Sequence, residues 1–379
     1  MTDSLPYQSA AQLAQMSTQQ QDQYWMQHAI SLAQRGIYTT RPNPNVGCVI
    51  VKDGQLLGEG FHPQAGQPHA EVFALNQAGS NSHGATAYVT LEPCAHYGRT
   101  PPCALALSKS GVSRVVIACL DPNPLVAGKG VEILTQAGIQ VEHGVCETQA
   151  AALNRGFLKS MAEGKPYVRL KMASSLDGRT AMASGESKWI TGAEARLDVQ
   201  HWRAISAAVI TGVDTVLADD CLLNVRDIPA YVEQAKANLV QPMRIVLDRQ
   251  GRLPVTAKML QQPDSVMVMG PFRQDLADLG VLQLPIMALA DLLVFLRQNY
   301  QFFDIMVEAG ATLATAFLQQ NLVDELISYV APTLLGQSAR SMFAGELNHM
   351  SEQLRFNLID VTQVGRDLRL RLIPMQETV

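Results

Sequence analysis

The sequence predicts an α/β protein built as two successive domains. Three observations carry that expectation. Helix-period and strand-like segments alternate along most of the chain, as when helices pack on a sheet. The alternation breaks once, near Gly164-Lys165-Pro166, and then starts afresh. Finally, 379 residues are too many for one ordinary domain, and two are the natural expectation. With 47% hydrophobic and 17% charged residues, the chain has enough apolar side chains for two sizeable cores. The expected organisation is a polar extension over 1–21, a first domain over 22–165 and a second over 166–379.

The elements of the first domain follow in order. The first 20 or so residues are polar and Gln-rich and read as a frayed extension. Tyr24 to Gly36 reads as an amphipathic helix. Val46–Val51 and Gln55–Glu59 read as strands around an Asp53-Gly54 turn, a strong hairpin signal. An apolar stretch opening at His69 and ending near Gly79 reads as a helix, followed by a strand over Ala87–Leu91. A second helix opens at Pro101-Pro102-Cys103 and ends at Gly111, because proline suits the first helical turn. The strand Arg114–Leu120, a helix around Val131–Gly138 and the strand Ile139–Glu142 complete the set.

In the second domain the strand candidates are Tyr167–Ala173, Ala207–Thr211, Met243–Leu247, Ser265–Met269, Phe303–Val307 and Leu326–Val330. Helices fit between them, notably Ala193–Ala204 and Thr312–Gln320. Arg355–Val361 and Asp367–Ile373 flank Gln363-Val364-Gly365-Arg366, which reads as a closing hairpin and gives this domain an antiparallel end.

The chemistry concentrates in the first domain. Pro68-His69-Ala70-Glu71 is followed by Pro93-Cys94 and then Cys103. One His, two Cys and a nearby non-ligating Glu are the parts of a catalytic zinc site of the nucleobase-deaminase type. Imidazole and thiolates suit zinc, and three protein ligands leave a fourth position for water. Glu71 stands where a proton shuttle is needed. Both halves of the site open helices, and a helix amino end favours a thiolate. Two other readings of these residues remain open. Cys94 and Cys103 could be buried thiols, or His96 could close the site as a fourth ligand of a structural zinc.

Signals in the second domain are weaker. Strand Phe303–Val307 runs into Glu308-Ala309-Gly310-Ala311-Thr312 at a helix start, where free N–H groups bind phosphate. Strand Ala207–Thr211 runs into Gly212-Val213-Asp214-Thr215. Taken singly each junction is more often a plain loop; two in one domain favour a nucleotide or dinucleotide cofactor, although no G-x-G-x-x-G is present. Arg226, ending Asp219–Arg226, is either a phosphate clamp or a solvated arginine.

A net charge of −5 argues against a general nucleic-acid-binding surface and still allows a local basic pocket. Cys48, Cys119, Cys146 and Cys221 read as free thiols in a reducing compartment. No secretory pattern and no run of about 18 apolar residues occurs, so a soluble cytoplasmic protein without a membrane partner is expected.

Over about residues 22–375 the chain resembles the bifunctional deaminase/reductases of riboflavin biosynthesis. The resemblance rests on Pro42–Val51, Pro68–Glu71, Thr90–Cys103, Asp121–Pro124, Ser175–Arg179, Gly185–Thr191, Thr215–Asp220 and Glu308–Gly310. The long Cys94–Cys103 loop is characteristic of that family among zinc deaminases. The resemblance implies a cytidine-deaminase-like three-layer domain followed by a dihydrofolate-reductase-like α/β domain. It implies hydrolysis of the 2-amino group of 2,5-diamino-6-ribosylamino-4(3H)-pyrimidinone 5′-phosphate. The ribosyl group of the product would then be reduced to ribityl with NADPH. It also implies one zinc ion (Zn2+) per chain on His69, Cys94 and Cys103, with Glu71 as proton shuttle. Asn43, His62, Arg99, Asp121 and Asn123 would line the deaminase pocket. Ser187, Arg203, Leu223, Arg226 and Glu308 would contact the reductase substrate. Ala173, Trp189, Thr215, Asp219 and Arg249 would contact the cofactor, with the turn Gly310, Ala311, Thr312, Leu313, Ala314, Thr315 and Ala316. Partners would be small pyrimidine ribosyl phosphates, and the assembly a homodimer or larger homo-oligomer. The chain departs from the family pattern at Ala95, Cys221, Asn224 and Ala311, where Ser, Pro, Thr and Pro or Gly are usual.

Overall fold

The computed structural model describes residues 10–97, 101–124, 126–226 and 238–375. The chain divides into two compact units, Met1–Gly164 and Lys165–Val379.

The first unit opens with helices α1 (Ala10–Leu13) and α2 (Thr18–Gln34). The expected helix thus begins earlier than Tyr24, because Ser17 and Gln20 form a reciprocal capping box. The residues read as a frayed extension are also in part folded: Leu13 is 1% exposed and joins the core with Trp25 and Met26. A hairpin follows, β1 (Gly47–Lys52) and β2 (Gln55–Phe61), turned by Asp53 and Gly54 at φ 51° and 71°. Both central residues at positive φ is the turn that Asp-Gly favours. Next come α3 (Ala70–Ala78), β3 (Thr86–Leu91), α4 (Cys103–Lys109), β4 (Arg114–Cys119), α5 (Lys129–Gln136) and β5 (Gln140–His143). Helices α6 (Glu147–Leu153) and α7 (Arg155–Glu163), not singled out from the sequence, close the unit.

The strands run in the order β2-β1-β3-β4-β5. The β1 strand is antiparallel to both its neighbours, and β3, β4 and β5 are parallel. Each face of this sheet buries its own core. Ala70 and Ala74 of α3, Leu107 of α4 and Leu134 of α5 pack on one face. Trp25, Met26, Ala29 and Ile30 of α2, with Ala150 of α6, pack on the other. The result is a three-layer helix–sheet–helix unit. The α3 helix lies directly on β2, since a Cβ on Gly60 would come within 2.6 Å of the Ala70 carbonyl oxygen.

The second unit contains β6 (Tyr167–Ser175), β7 (Arg179–Ala181), α8 (Ala193–Ile205), β8 (Ala208–Gly212) and α9 (Val213–Asp219). It continues with β9 (Met243–Leu247), β10 (Val266–Met269), α10 (Gln274–Asp278), β11 (Leu282–Leu284), α11 (Leu289–Tyr300) and β12 (Asp304–Glu308). It ends with α12 (Ala311–Gln319), β13 (Glu325–Ala331), β14 (Arg340–Ser341), β15 (Phe356–Val364) and β16 (Asp367–Pro374). Its main sheet runs β11-β10-β9-β8-β12-β6-β13-β16-β15. The strands from β11 to β13 are parallel, and β16 and β15 add the expected antiparallel end. Two cores cover its faces, one including Leu292, Leu296 and Phe317, the other Trp202, Met306 and Tyr329. No described helix is long and apolar enough to cross a membrane. All six cysteines are free thiols.

Candidate metal centre and ligand cleft

The first site sits where β3 and β4 end and α3 and α4 begin. His69 is the extended residue that caps α3, with φ −75° and ψ 164°. Cys103 opens α4 behind Pro102. Cys94 follows β3 by three residues, and its carbonyl accepts the Ala104 N–H at 3.2 Å. His69 Nδ1 lies 3.3 Å from Cys103 Sγ and 3.7 Å from Cys94 Sγ, and all three ligand atoms fall within 4.8 Å of one another. Bond lengths of about 2.0 Å to nitrogen and 2.3 Å to sulfur on a tetrahedral ion give ligand spacings of this size. His96 is exposed and stands outside this cluster, which argues against the closed four-ligand alternative.

The electrostatics suit a cation. The Cys103 side chain, His69 and the Cys103 backbone N–H at 3.3 Å all favour a Cys94 thiolate, and its thiol is drawn down to about 4. The Cys103 thiol is pushed up, first because it serves that thiolate and then by burial. Glu71, in the first turn of α3, is 3% exposed, and its Oε2 has no hydrogen-bond partner. Burial first, and then the nearby Cys94 charge, raise its carboxyl. A buried carboxylate oxygen without a partner, beside three convergent ligand atoms, fits a zinc ion with a water to be deprotonated.

Around this centre, Asn43 Nδ2 lies 3.0 Å from His62 Nε2, and His62 Nδ1 lies 3.0 Å from the Pro68 carbonyl oxygen. A carbonyl only accepts, so His62 carries its proton on Nδ1 and accepts from Asn43 through Nε2. Burial lowers the His62 pKa and keeps the ring neutral. Its ring meets His69 edge-on at 5.4 Å. Asp121 is buried, accepts the Asn123 N–H at 2.8 Å, and is pushed up to about 6, chiefly by burial. Arg99, the remaining predicted pocket residue, lies outside the described residues.

Two further residues, Asn154 and Glu92, brace the segments around this centre. Asn154 accepts the Asn45 N–H at 2.7 Å and donates to the Asn45 carbonyl at 2.9 Å, pinning the loop that carries Asn43. Glu92, 4% exposed, receives backbone N–H groups from the segment that carries Asp121.

The second unit holds a cleft of about 1690 Å³. Its lining includes Ala173, Trp189, Thr215, Asp219 and Arg249. Gly310, Ala311, Thr312, Leu313 and Ala316 line it too, as do Ser187, Arg203, Leu223, Arg226 and Glu308. Ala314 and Thr315 are not among the lining residues. The turn expected to be continuous is the first part of α12, and helical periodicity carries those two side chains away. Ala314 joins the core, and the Thr315 hydroxyl accepts the Ala344 N–H at 2.8 Å.

Arg203 holds Glu308 through two bonds of 2.5 and 2.9 Å and donates to the Asn224 carbonyl at 3.3 Å. Burial alone would raise the Glu308 carboxyl; the Arg203 guanidinium outweighs it and keeps it low. Lys171 was not predicted, yet it lines the cleft, pairs in register with Glu308 and places Nζ 4.0 Å from its carboxylate. A lysine between Leu170 and Met172 in a central strand was the available signal. Arg226 and Arg249 are exposed at the cleft. The Asp248 carboxylate accepts the Arg252 and Leu253 N–H groups and so fixes the turn bearing Arg249.

Residues 19–119 match the family described as cytidine and deoxycytidylate deaminase zinc-binding region, and residues 166–370 match the RibD C-terminal domain. The chain is 50% identical over 364 residues to the riboflavin biosynthesis protein RibD of Escherichia coli (strain K12), covering 93% of this chain and 99% of that protein. The solved structure of Acinetobacter baumannii RibD, form 1, superposes with a TM-score of 0.91 at 69% identity, covering 94% of this chain and 100% of that one. A diaminohydroxyphosphoribosylaminopyrimidine deaminase/5-amino-6-(5-phosphoribosylamino)uracil reductase from Thermotoga maritima gives 0.85 at 33% identity, covering 95% of this chain and 100% of that one.

Proposed function

This chain belongs to the RibD family of bifunctional riboflavin-biosynthesis deaminase/reductases, and from that premise we propose how its own residues divide the two reactions. The first unit deaminates 2,5-diamino-6-ribosylamino-4(3H)-pyrimidinone 5′-phosphate at its 2-amino group. One zinc ion per chain, when bound by His69, Cys94 and Cys103, supplies a Lewis acid that makes water acidic near neutral pH. Glu71 relays the two protons of the attacking water in turn, the first to the ring nitrogen and the second, from the new C–OH, to the amino group that leaves as ammonia. The low-dielectric surroundings that raise its pKa suit a group that must both take and give a proton. Asn43, neutral His62, Asp121, Asn123 and Arg99 orient the base.

The second unit reduces the ribosyl group of 5-amino-6-(5-phosphoribosylamino)uracil to ribityl. NADPH, when bound, supplies the hydride. The cleft of about 1690 Å³ exceeds the roughly 300–1,000 Å³ of a single small-ligand site, which suits a dinucleotide beside a second molecule. Gly310 to Leu313, at the start of α12, line the cleft, and the free N–H groups of a helix start suit phosphate oxygens. Arg226, exposed at the cleft, is the cation proposed for the sugar phosphate, and Arg203 favours an ionised Glu308, the proposed sugar contact. A cytoplasmic homodimer or larger homo-oligomer is the assembly that goes with this reading, and sedimentation would read it.

The observation that carries the proposal is the unpartnered oxygen of buried Glu71 beside three convergent ligand atoms. Incubation with the diaminopyrimidinone phosphate should release ammonia without NADPH, and should yield the ribityl product only when NADPH is added. Failure to release ammonia from a zinc-loaded protein would overturn the first half, and failure to oxidise NADPH on the deaminated intermediate the second.

A further inference from the structure

We propose that Glu92 is a positioning residue for deamination, whose one carboxylate ties Asp121 and the start of α5 to the strand end that delivers Cys94. The inference rests on the assignment of Asp121 and Asn123 to the substrate pocket.

Glu92 directly follows β3 and stands two residues before Cys94. Its own N–H donates to the Cys119 carbonyl at 2.9 Å, so its backbone is tied to the end of β4. Its side chain is 4% exposed. Oε2 accepts the N–H groups of Asp121 at 3.2 Å and Gly128 at 3.1 Å. Oε1 accepts those of Gly130 at 2.9 Å and Val131 at 3.4 Å. Gly130 and Val131 are the second and third residues of α5, the positions whose orphan N–H groups a capping side chain normally satisfies. The residue in the capping place is Gly128, which has no side chain. Glu92 therefore caps α5 from a different element, and its other oxygen holds the start of the same segment.

The consequence is geometric. The loop carrying Asp121 and Asn123 is clasped at both ends by one carboxylate. A Cβ on Gly130 would come within 2.2 Å of the Pro93 carbonyl oxygen, so the segment is pressed directly against the chain between Glu92 and Cys94. The metal ligand and the pocket loop thus share one anchor. A charged acceptor for several backbone donors gives stronger bonds than neutral pairs do. Small displacements of such a loop are costly to binding and orientation.

The test uses the full-length, zinc-loaded protein and measures deamination against substrate concentration, normalised to zinc content. Glu92→Gln keeps size but turns one oxygen into an NH2 group facing two N–H donors. It should raise KM by about tenfold or more and change kcat by less than about threefold, the split expected when binding shared by the ground state and the transition state is lost. Zinc should stay at about one per chain, as the three ligands provide. Gly130→Ala leaves the carboxylate intact and pushes the segment off Pro93; it should show the same split. It also carries the test if Glu92→Gln does not fold. Activity lost in proportion to zinc at unchanged KM, or an unchanged KM in both variants, would overturn the proposal, since a merely structural residue changes only the amount of active protein. Asp121→Ala separates the premise: an unmoved KM there would overturn the pocket assignment, whatever the Glu92 and Gly130 variants show.

Discussion

Cys94 is the thiol that is already charged at neutral pH, because Cys103 and His69 both stabilise its thiolate. Cys103 and His69 are both pushed up beside that thiolate, so the protons that must leave as the centre loads lie on these two ligands. Cys94→Ser replaces a ready anionic ligand by a hydroxyl that stays neutral. Zinc occupancy should fall and ammonia release should cease; metal analysis beside an ammonia assay checks both, and full zinc with full activity would remove Cys94 from the ligand set. The ligands were legible in the sequence because each lies in a short motif whose residue types are dictated by zinc chemistry. Glu92 and Asn154 were not legible as anchors. Their partners are main-chain groups 29 to 39 residues away for Glu92 and 109 residues away for Asn154. A backbone N–H carries no residue-type signal, so only the fold brings these contacts into view.

The α12 helix separates two kinds of residue that run together in sequence. Gly310 to Leu313 and Ala316 face the cleft, whereas Ala314 and Thr315 face inward. Thr315→Val should leave the Michaelis constant for NADPH unchanged and lower stability by about 1 kcal/mol, the usual net worth of one hydrogen bond. Thermal unfolding and steady-state reduction read the two effects, and a raised Michaelis constant at unchanged stability would return Thr315 to the cofactor site. The turn after β9 offers the complementary case. Arg249 is exposed there while Asp248 holds the turn rigid from beneath. An arginine on such a turn can meet the 2′-phosphate that distinguishes NADPH from NADH. Arg249→Ala should raise the Michaelis constant for NADPH and spare that for NADH; equal effects would refute the assignment. Elements bounded by hairpin or proline signals were legible, as the Asp53-Gly54 hairpin and α4 show. The α11 helix was not singled out, although Leu289, Leu292, Leu293 and Leu296 repeat at helical spacing. Leu282–Leu284 is too short to display a period.

On the scale of the whole chain, the two chemistries fall in different compact units, Met1–Gly164 and Lys165–Val379. Single substitutions should therefore separate them. Glu71→Gln keeps size and removes basicity, so deamination should fall by at least about a hundredfold while reduction of the deaminated intermediate stays nearly unchanged. Arg226→Ala should do the reverse, by removing a cation from the second cleft alone. Paired assays of ammonia release and NADPH oxidation decide the matter, and loss of both activities in folded Glu71→Gln would require one shared active site. The bonds between Asn154 and Asn45 also set an order of events during synthesis. Cys103, the last of the three metal ligands, is made well before Asn154, whereas Asn45 waits through 109 residues for its partner. A nascent chain stopped at Ala150 would hold every ligand of the metal centre and lack the clasp on the Asn43 loop. Such a fragment should hold zinc in metal analysis and bind the pyrimidine more weakly than the whole chain; equal affinity would mean that the Asn154 clasp, made last, adds nothing to the deaminase site.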